Sequence, residues 1–388
     1  MIYDYAFVKK PKYIPIKRTA TAMKKTASIL LAILTVLCIF TGCSSGQNAA
    51  DAKIIEPVSP IEETVELHTA SQDAFLNGSN SMILLYAQGN REKSRPKPVK
   101  FEWNYSGTVS NFTLSVSENA DMTDCKTYIT DGESYSVYNL KIGTTYYWTV
   151  STEDSCSDVS SFTTSSQAPR NLYIDGITNA RDLGGRTTEN GTVTKQGMIF
   201  RCGRLNESDV SEPNIEITEA GKNTMLNDLG IKTEIDVRLD YNDENGGITS
   251  SPLGDTVKYV NCPMNWEGEM LAGNREQILR VFSILADENN YPLFIHCNIG
   301  TDRTGMLSFL INALLGVSED DLCKDYLFSN FGKINGNRPL DNLLESDYYA
   351  AVQAAEGSTL SEKTYNCLVS TGVPAEQLDS LIEIMTEE

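Results

Sequence analysis

The sequence predicts a chain of two folded parts: an all-β sandwich, then an α/β domain whose central, mainly parallel sheet is flanked by helices. Three observations lead there. Between residues 70 and 166, short runs alternate apolar and polar side chains with no helical stretch between them. From Leu172 onward, strand-like runs alternate with helical ones, the order that builds a parallel sheet covered on both faces. The apolar run PLFIHC then passes through a glycine-containing loop into the helical segment RTGMLSFL, at the carboxyl end of a strand, where sites on such sheets lie.

Composition narrows the possible functions. The 388 residues leave room for two domains and a terminal segment, and 40% hydrophobic with 22% charged residues suits a folded chain. A net charge of −20 argues against nucleic acid as a partner, and a site for any phosphorylated ligand must build local positive character against that field. Two histidines, and nine cysteines without CxxC spacing, offer neither a zinc site nor a His-rich metal centre. The expected chemistry therefore uses no metal and no cofactor.

Residues 1–43 read as an address. Lys24 and Lys25 precede an apolar core over 29–40, too short to span a bilayer and cut by Thr41-Gly42-Cys43, as in a signal peptide that begins at Met23. Small residues followed at once by Cys43 resemble the lipobox of bacterial lipoproteins. That resemblance implies lipidation of Cys43 and an extracytoplasmic chain anchored to the cell membrane; an uncleaved signal anchor and secretion are the alternatives. Residues 44–69 are small, polar and acidic, with Pro57 and Pro60, and read as a flexible linker.

In the β part, 70–166, Phe101, Trp103 and Tyr105 share one face, as do Phe112, Leu114 and Val116, and then Tyr146, Trp148 and Val150. The segment NLKIGTTYYWTV resembles the corner of a fibronectin type III domain, with Leu140, Gly143, Thr144 and Tyr146 at its marker positions and Ile142 where proline is usual. The resemblance implies a sandwich in which the Tyr146 hydroxyl satisfies a backbone group of the crossing loop. A spacer or orienting role is expected of it. Cys125 and Cys156 both fall in this part and could pair, with free thiols the favoured alternative.

In the α/β part, 167–388, IKTEIDVR, TVKYVNCP and PLFIHC read as strands. NREQILRVFSILADE carries Ile278, Val281, Phe282 and Leu285 at helical spacing, MLSFLINALLG reads as a buried helix, and at least two amphipathic helices close the chain. The stretch FIHCNIGTDRTG thus joins a strand to a helix. A first helical turn has unsatisfied N–H groups and the positive end of the helix dipole, so the loop can cradle an anion. Gly300 lets the backbone approach that anion, and Arg303 can grip it with a planar fork. The same field favours a thiolate nucleophile at Cys297. The expected phosphate-binding set is Asn298, Ile299, Gly300, Thr301, Asp302, Arg303 and Thr304.

The segment resembles the HCx5R[ST] signature of cysteine-dependent phosphatases, in the HCxxGxDRTG form of a bacterial tyrosine-phosphatase family that includes lipid-active members. NARDLGG at 179–185 is similar to that family's NFRDLGG, with Ala180 in place of Phe. FRCGRL at 200–205, IDVR at 235–238 and DYL at 325–327 match further segments, so the resemblance covers about 171–388. Thr301 stands where the family commonly has lysine. The resemblance implies a protein-tyrosine phosphatase-like phosphomonoesterase in which Cys297 forms a phosphocysteine and Arg303 holds the phosphoryl oxygens. For the general acid, Asp302 is the first candidate, matching a family position. Asp236 follows, with orientation of Arg303 as its other role, and Glu267 is a third. The expected partner is a phosphorylated protein or small phosphomonoester. The alternatives are a phosphoinositide or inositol phosphate phosphatase, and a surface-displayed phosphate-binding or adhesion module without catalysis.

Overall fold

The computed structural model describes residues 53–206, 216–240 and 244–386. The signal segment with Cys43 lies outside the described residues, as does the linker up to residue 52. The β part runs β1 Ile55–Ser59, β2 Thr64–Val65, α1 Ala70–Leu76, α2 Ile83–Tyr86, β3 Val99–Tyr105, β4 Phe112–Ser117, β5 Lys126–Thr130, β6 Ser134–Val137, β7 Thr145–Ser151 and β8 Ser160–Thr164. One sheet has the order β1-β3-β6 and the other β2-β8-β7-β4-β5, antiparallel throughout apart from the short β2/β8 pair. The residues expected on inner faces bury there, apart from Tyr105, which is half-buried against the same core. Phe101, Trp103, Phe112, Leu114, Val116, Tyr146, Trp148, Val150 and Phe162 form one core. The Tyr146 hydroxyl accepts a hydrogen bond from the Lys141 amide at 2.8 Å. Cys125 and Cys156 are not joined by a disulfide.

Two expectations fail in this half. The linker does not extend to residue 69: β1 pairs with β3 and β2 with β8, so the polar segment is bound into the sheets by its backbone rather than its side chains. Nor is 70–166 free of helix. Thr69 caps α1 through a box with Gln72, and Phe75, Leu76 and Ile83 bury in the core of the α/β domain instead of the sandwich. Three buried apolar residues on so short a segment leave no long periodic signal to read.

The α/β part runs β9 Arg181–Asp182, β10 Ile199–Cys202, α3 Glu219–Asn223, β11 Thr233–Asp236, β12 Lys258–Asn261, α4 Met270–Gly273, α5 Arg275–Leu285 and β13 Leu293–His296. Six helices follow: α6 Asp302–Leu314, α7 Glu319–Phe328, α8 Asp341–Leu344, α9 Asp347–Ala354, α10 Leu360–Thr371 and α11 Ala375–Thr386. The sheet order is β12-β11-β13-β10-β9, parallel from β12 to β10, with β9 antiparallel at the edge. Ile278, Val281, Phe282 and Leu285 of α5 are buried, and every residue of α6 except Asp302 is buried. β13 sits in the middle of the sheet, so its carboxyl end, and Cys297 after it, is fixed from both sides.

Candidate active site

Cys297 leaves β13 into a loop whose carbonyls are tied back. The Asn298 carbonyl accepts from the Arg204 amide at 3.0 Å. Asn179 Nδ2 donates to the carbonyls of Ile299 and Gly300 at 3.1 and 3.0 Å, and Arg201 Nη2 donates to Gly300 at 2.6 Å. In a planar trans peptide each N–H points opposite its carbonyl, so these bonds turn the following amides inward. Gly300 has φ +67°, and a Cβ there would lie 2.3 Å from the Cys202 carbonyl oxygen. Only glycine fits both the turn and the contact.

Arg303, one turn into α6, is almost fully buried. Its Nη1 donates to the carbonyls of Met264 at 3.0 Å and Val237 at 3.3 Å, and its Nη2 is paired with the Glu244 carboxylate. Burial works against its charge, but Cys297 and Glu244 together raise its pKa. Its Nε, the Thr304 hydroxyl and Asn298 Oδ1 are buried without a protein partner. The three lie on the loop and first turn that surround the expected anion, and buried polar groups of this kind call for a ligand or water.

Asp302 is partly exposed, and its carboxylate is held by Arg338 Nε at 3.0 Å and Nη2 at 3.3 Å. Asp236, the second candidate acid, lies elsewhere. It is fully buried, chelated by Arg238 at 3.0 and 2.7 Å, and accepts the Tyr259 hydroxyl at 2.9 Å. Burial opposes its ionisation, yet His296 and Arg238 hold its pKa below the ordinary value. A carboxylate so enclosed cannot meet a leaving group, so Asp236 positions the strand end rather than donating a proton. Glu267 is exposed on the 265–269 loop, which follows the Met264 carbonyl that holds Arg303. Thr301 is buried and turns its hydroxyl to the back of the loop, toward Asn179 and the Ile299 carbonyl, away from an anion in the cradle. His296 pairs with Glu234 at 2.9 Å behind the loop. Glu234, Asp236 and His296 group closely enough to suggest a metal, but Ser251, Arg238 and Tyr259 also engage the two carboxylates.

Several contributors escaped the sequence reading. Glu244 sits in no motif, and no signal in the sequence marks it. Arg181, Arg186 and Arg201 converge on Asp325, at 2.9, 2.5 and 2.8 Å. Burial opposes ionisation of Asp325, but the three guanidinium groups hold its carboxyl well below the usual range. Three cations around one anion leave net positive charge under the loop; burial, then repulsion from Arg181, lowers the pKa of Arg201 to about 9. Arg181, Arg201 and Asp325 fall in segments the family resemblance had flagged, but their mutual contact is visible only in three dimensions. Burial raises the pKa of Cys202 strongly and those of Cys262 and Cys323 to about 11.

A strand end, a loop with its carbonyls drawn back and a buried arginine thus meet at one place in the α/β domain. The tyrosine phosphatase family model matches residues 172–388, and the chain belongs to that family. A Cupriavidus necator protein provisionally named a tyrosine-protein phosphatase is 28% identical over 190 residues, covering 42% of this chain and 64% of that protein. The chain thus spans under two thirds of that curated relative's length. Among solved structures, the core catalytic domain of the PP-IP phosphatase SIW14 from S. cerevisiae, in complex with citrate, aligns at 19% identity with a TM-score of 0.27, over 39% of this chain and 82% of that one. A second structure, of the Siw14 catalytic core, aligns at 19% identity and a TM-score of 0.25, over 37% and 83%.

Proposed function

We propose that the protein is a cysteine-dependent phosphomonoesterase acting on phosphotyrosine or related monoesters. The observation that carries this is the loop of Cys297: its carbonyls are drawn back, and the buried Nε of Arg303 has no protein partner. A phosphoryl group in the cradle would take the inward amides and the guanidinium, while the Cys297 thiolate attacks phosphorus in line with the leaving oxygen. The P–O bond to the leaving group breaks as the S–P bond forms, and Asp302 supplies the proton to that oxygen. Water, deprotonated by the same carboxylate, then cleaves the S–P bond and releases phosphate. Arg338 keeps Asp302 oriented between the two steps.

The sandwich is proposed as a fibronectin type III-like domain, supported by its strand order and the Tyr146 corner. The leader is proposed as a lipoprotein signal that exports the chain and anchors it at Cys43, a reading supported by the sequence over 23–43. The test is an assay of the full chain with chelator present on phosphotyrosine and phosphoserine peptides, phosphoinositides and inositol hexakisphosphate, beside Cys297→Ser. Loss of turnover in Cys297→Ser is expected. Turnover that survives it, or that requires added metal, sinks the mechanism, and the preferred substrate decides between tyrosine and inositol chemistry.

A further inference from the structure

The family match begins at residue 172, yet the phosphate loop is braced by residues that lie well before it. The insertion between β2 and β3 leaves the sandwich and packs on the α/β core, with Phe75 and Phe331 at a ring separation of 5.9 Å and Ile83 and Ala87 in the same core. Its last turn reaches the site along two routes. On the first, Glu92 Oε1 accepts the Ser94 amide at 2.9 Å and the Ser94 hydroxyl at 2.5 Å, while its Oε2 accepts the Thr178 hydroxyl. The Ser94 hydroxyl in turn accepts the Asn179 amide at 3.2 Å. Asn179 is the fully buried residue whose side chain holds the carbonyls of Ile299 and Gly300. Its φ of +59° lies in the left-handed region, which asparagine visits more readily than other residues with a Cβ, and its amide is tied to Ser94 in that conformation. On the second route, the Gly89 amide donates to Asn330 and the Lys93 amide to Phe331, at 2.8 and 2.6 Å. Asn330 exchanges bonds of 2.9 and 2.7 Å with the backbone of Arg338, the partner of Asp302.

We infer that residues 89–94 are a positioning element of the active site: Glu92 and Ser94 set the phosphate loop through Asn179, so the catalytic apparatus is completed by a segment of the preceding β domain. The inference rests on reading the loop of Cys297 as the anion site. Ser94→Ala leaves the Asn179 amide buried without an acceptor and frees the torsion that aims its side chain at the loop.

The test measures oxyanion binding, which needs no turnover. In the full chain, tungstate affinity is measured by calorimetry for wild type, Ser94→Ala, Glu92→Gln, Asn179→Ala and the Ser94→Ala/Asn179→Ala double variant. The pH profile of iodoacetamide alkylation at Cys297 is followed by peptide mapping, with thermal melts alongside. Ser94→Ala is expected to weaken tungstate about tenfold, the scale of one unpaired buried donor, and to shift the alkylation profile. Glu92→Gln, which keeps the shape and one of the two acceptor oxygens, is expected to weaken it about threefold, and serves where Ser94→Ala fails to fold. In the Asn179→Ala background the serine substitution is expected to add nothing. Ser81→Ala, on the exposed side of the insertion, is expected to leave both readouts unchanged. A lowered melting temperature with wild-type tungstate affinity and alkylation profile overturns the inference, as do serine and asparagine effects that multiply independently. Absence of tungstate binding in the wild type overturns the anion-site reading itself, and the inference with it.

Discussion

Arg303 holds its place through two carbonyls and one carboxylate, and the carboxylate is the replaceable part. Glu244 also accepts Asn298 Nδ2 at 3.2 Å and, through its other oxygen, the Leu239 amide at 2.7 Å, so it joins the arginine, the phosphate loop and the end of the DVR segment. Replacing it by glutamine keeps the shape and removes the charge. Glu244→Gln is expected to lower kcat/KM about tenfold and weaken inhibition by phosphate to a similar degree, as for loss of one charge-assisted bond. A change in KM alone, with phosphate inhibition untouched, would contradict that role. For Asp302, Asp302→Asn is expected to slow esters with poor leaving groups far more than aryl esters with good ones, because only the former need the proton. An equal loss on both removes Asp302 from the acid role. At this scale the sequence was informative where chemistry and spacing coincide, as at Gly300, whose turn only glycine fits, and Arg303, which the first turn of α6 places beside the loop. It was silent on Glu244, whose partners come from other segments of the chain, and misleading on Asp236, because burial of a carboxylate leaves no mark in a motif.

The element that matters most is the turn from β13 into α6. Its geometry depends on Gly300 at positive φ against the end of β10. Gly300→Ala is expected to destabilise the fold by about 1–3 kcal/mol, the cost of a strained backbone, and to abolish most oxyanion binding because the loop must move off Cys202. Unchanged binding in that variant would show that the cradle does not need this close approach. The strands and helices around the turn were legible because their periods are clean: alternation in β3, β4 and β7, helical spacing in α5, a fully apolar run in α6. β1, β2, α1 and α2 were not, since each is short and buries a face against a part of the chain distant in sequence. Local pattern cannot report such contacts.

Over the whole molecule, several carboxyls share one tendency. Asp325 and Asp236 are held below their ordinary range by buried cations that outweigh the cost of burial, and Glu66 is lowered to about 2, chiefly by its hydrogen bond to His68. The unfolded chain takes up these protons near pH ~4 and the folded chain only at lower pH, so unfolding gains protons as the solution is acidified. The stabilisation is therefore fully present above the unfolded range and is lost as pH falls through the folded values. Melting temperature is expected to hold level toward neutrality and drop below about pH 4; a profile flat into strong acid would contradict the pairing. The change from sheet-only pattern to alternating strands and helices was legible from texture, whereas the way residues 70–94 reach into the α/β core was not. The central claim is that Cys297 carries the phosphoryl group. A rapid acid quench during turnover of an aryl phosphate, followed by peptide mapping, tests it most directly. A phosphoryl adduct on the peptide containing Cys297, absent in Cys297→Ser, is expected. Steady turnover with no adduct at Cys297, or an adduct on another residue, would contradict it.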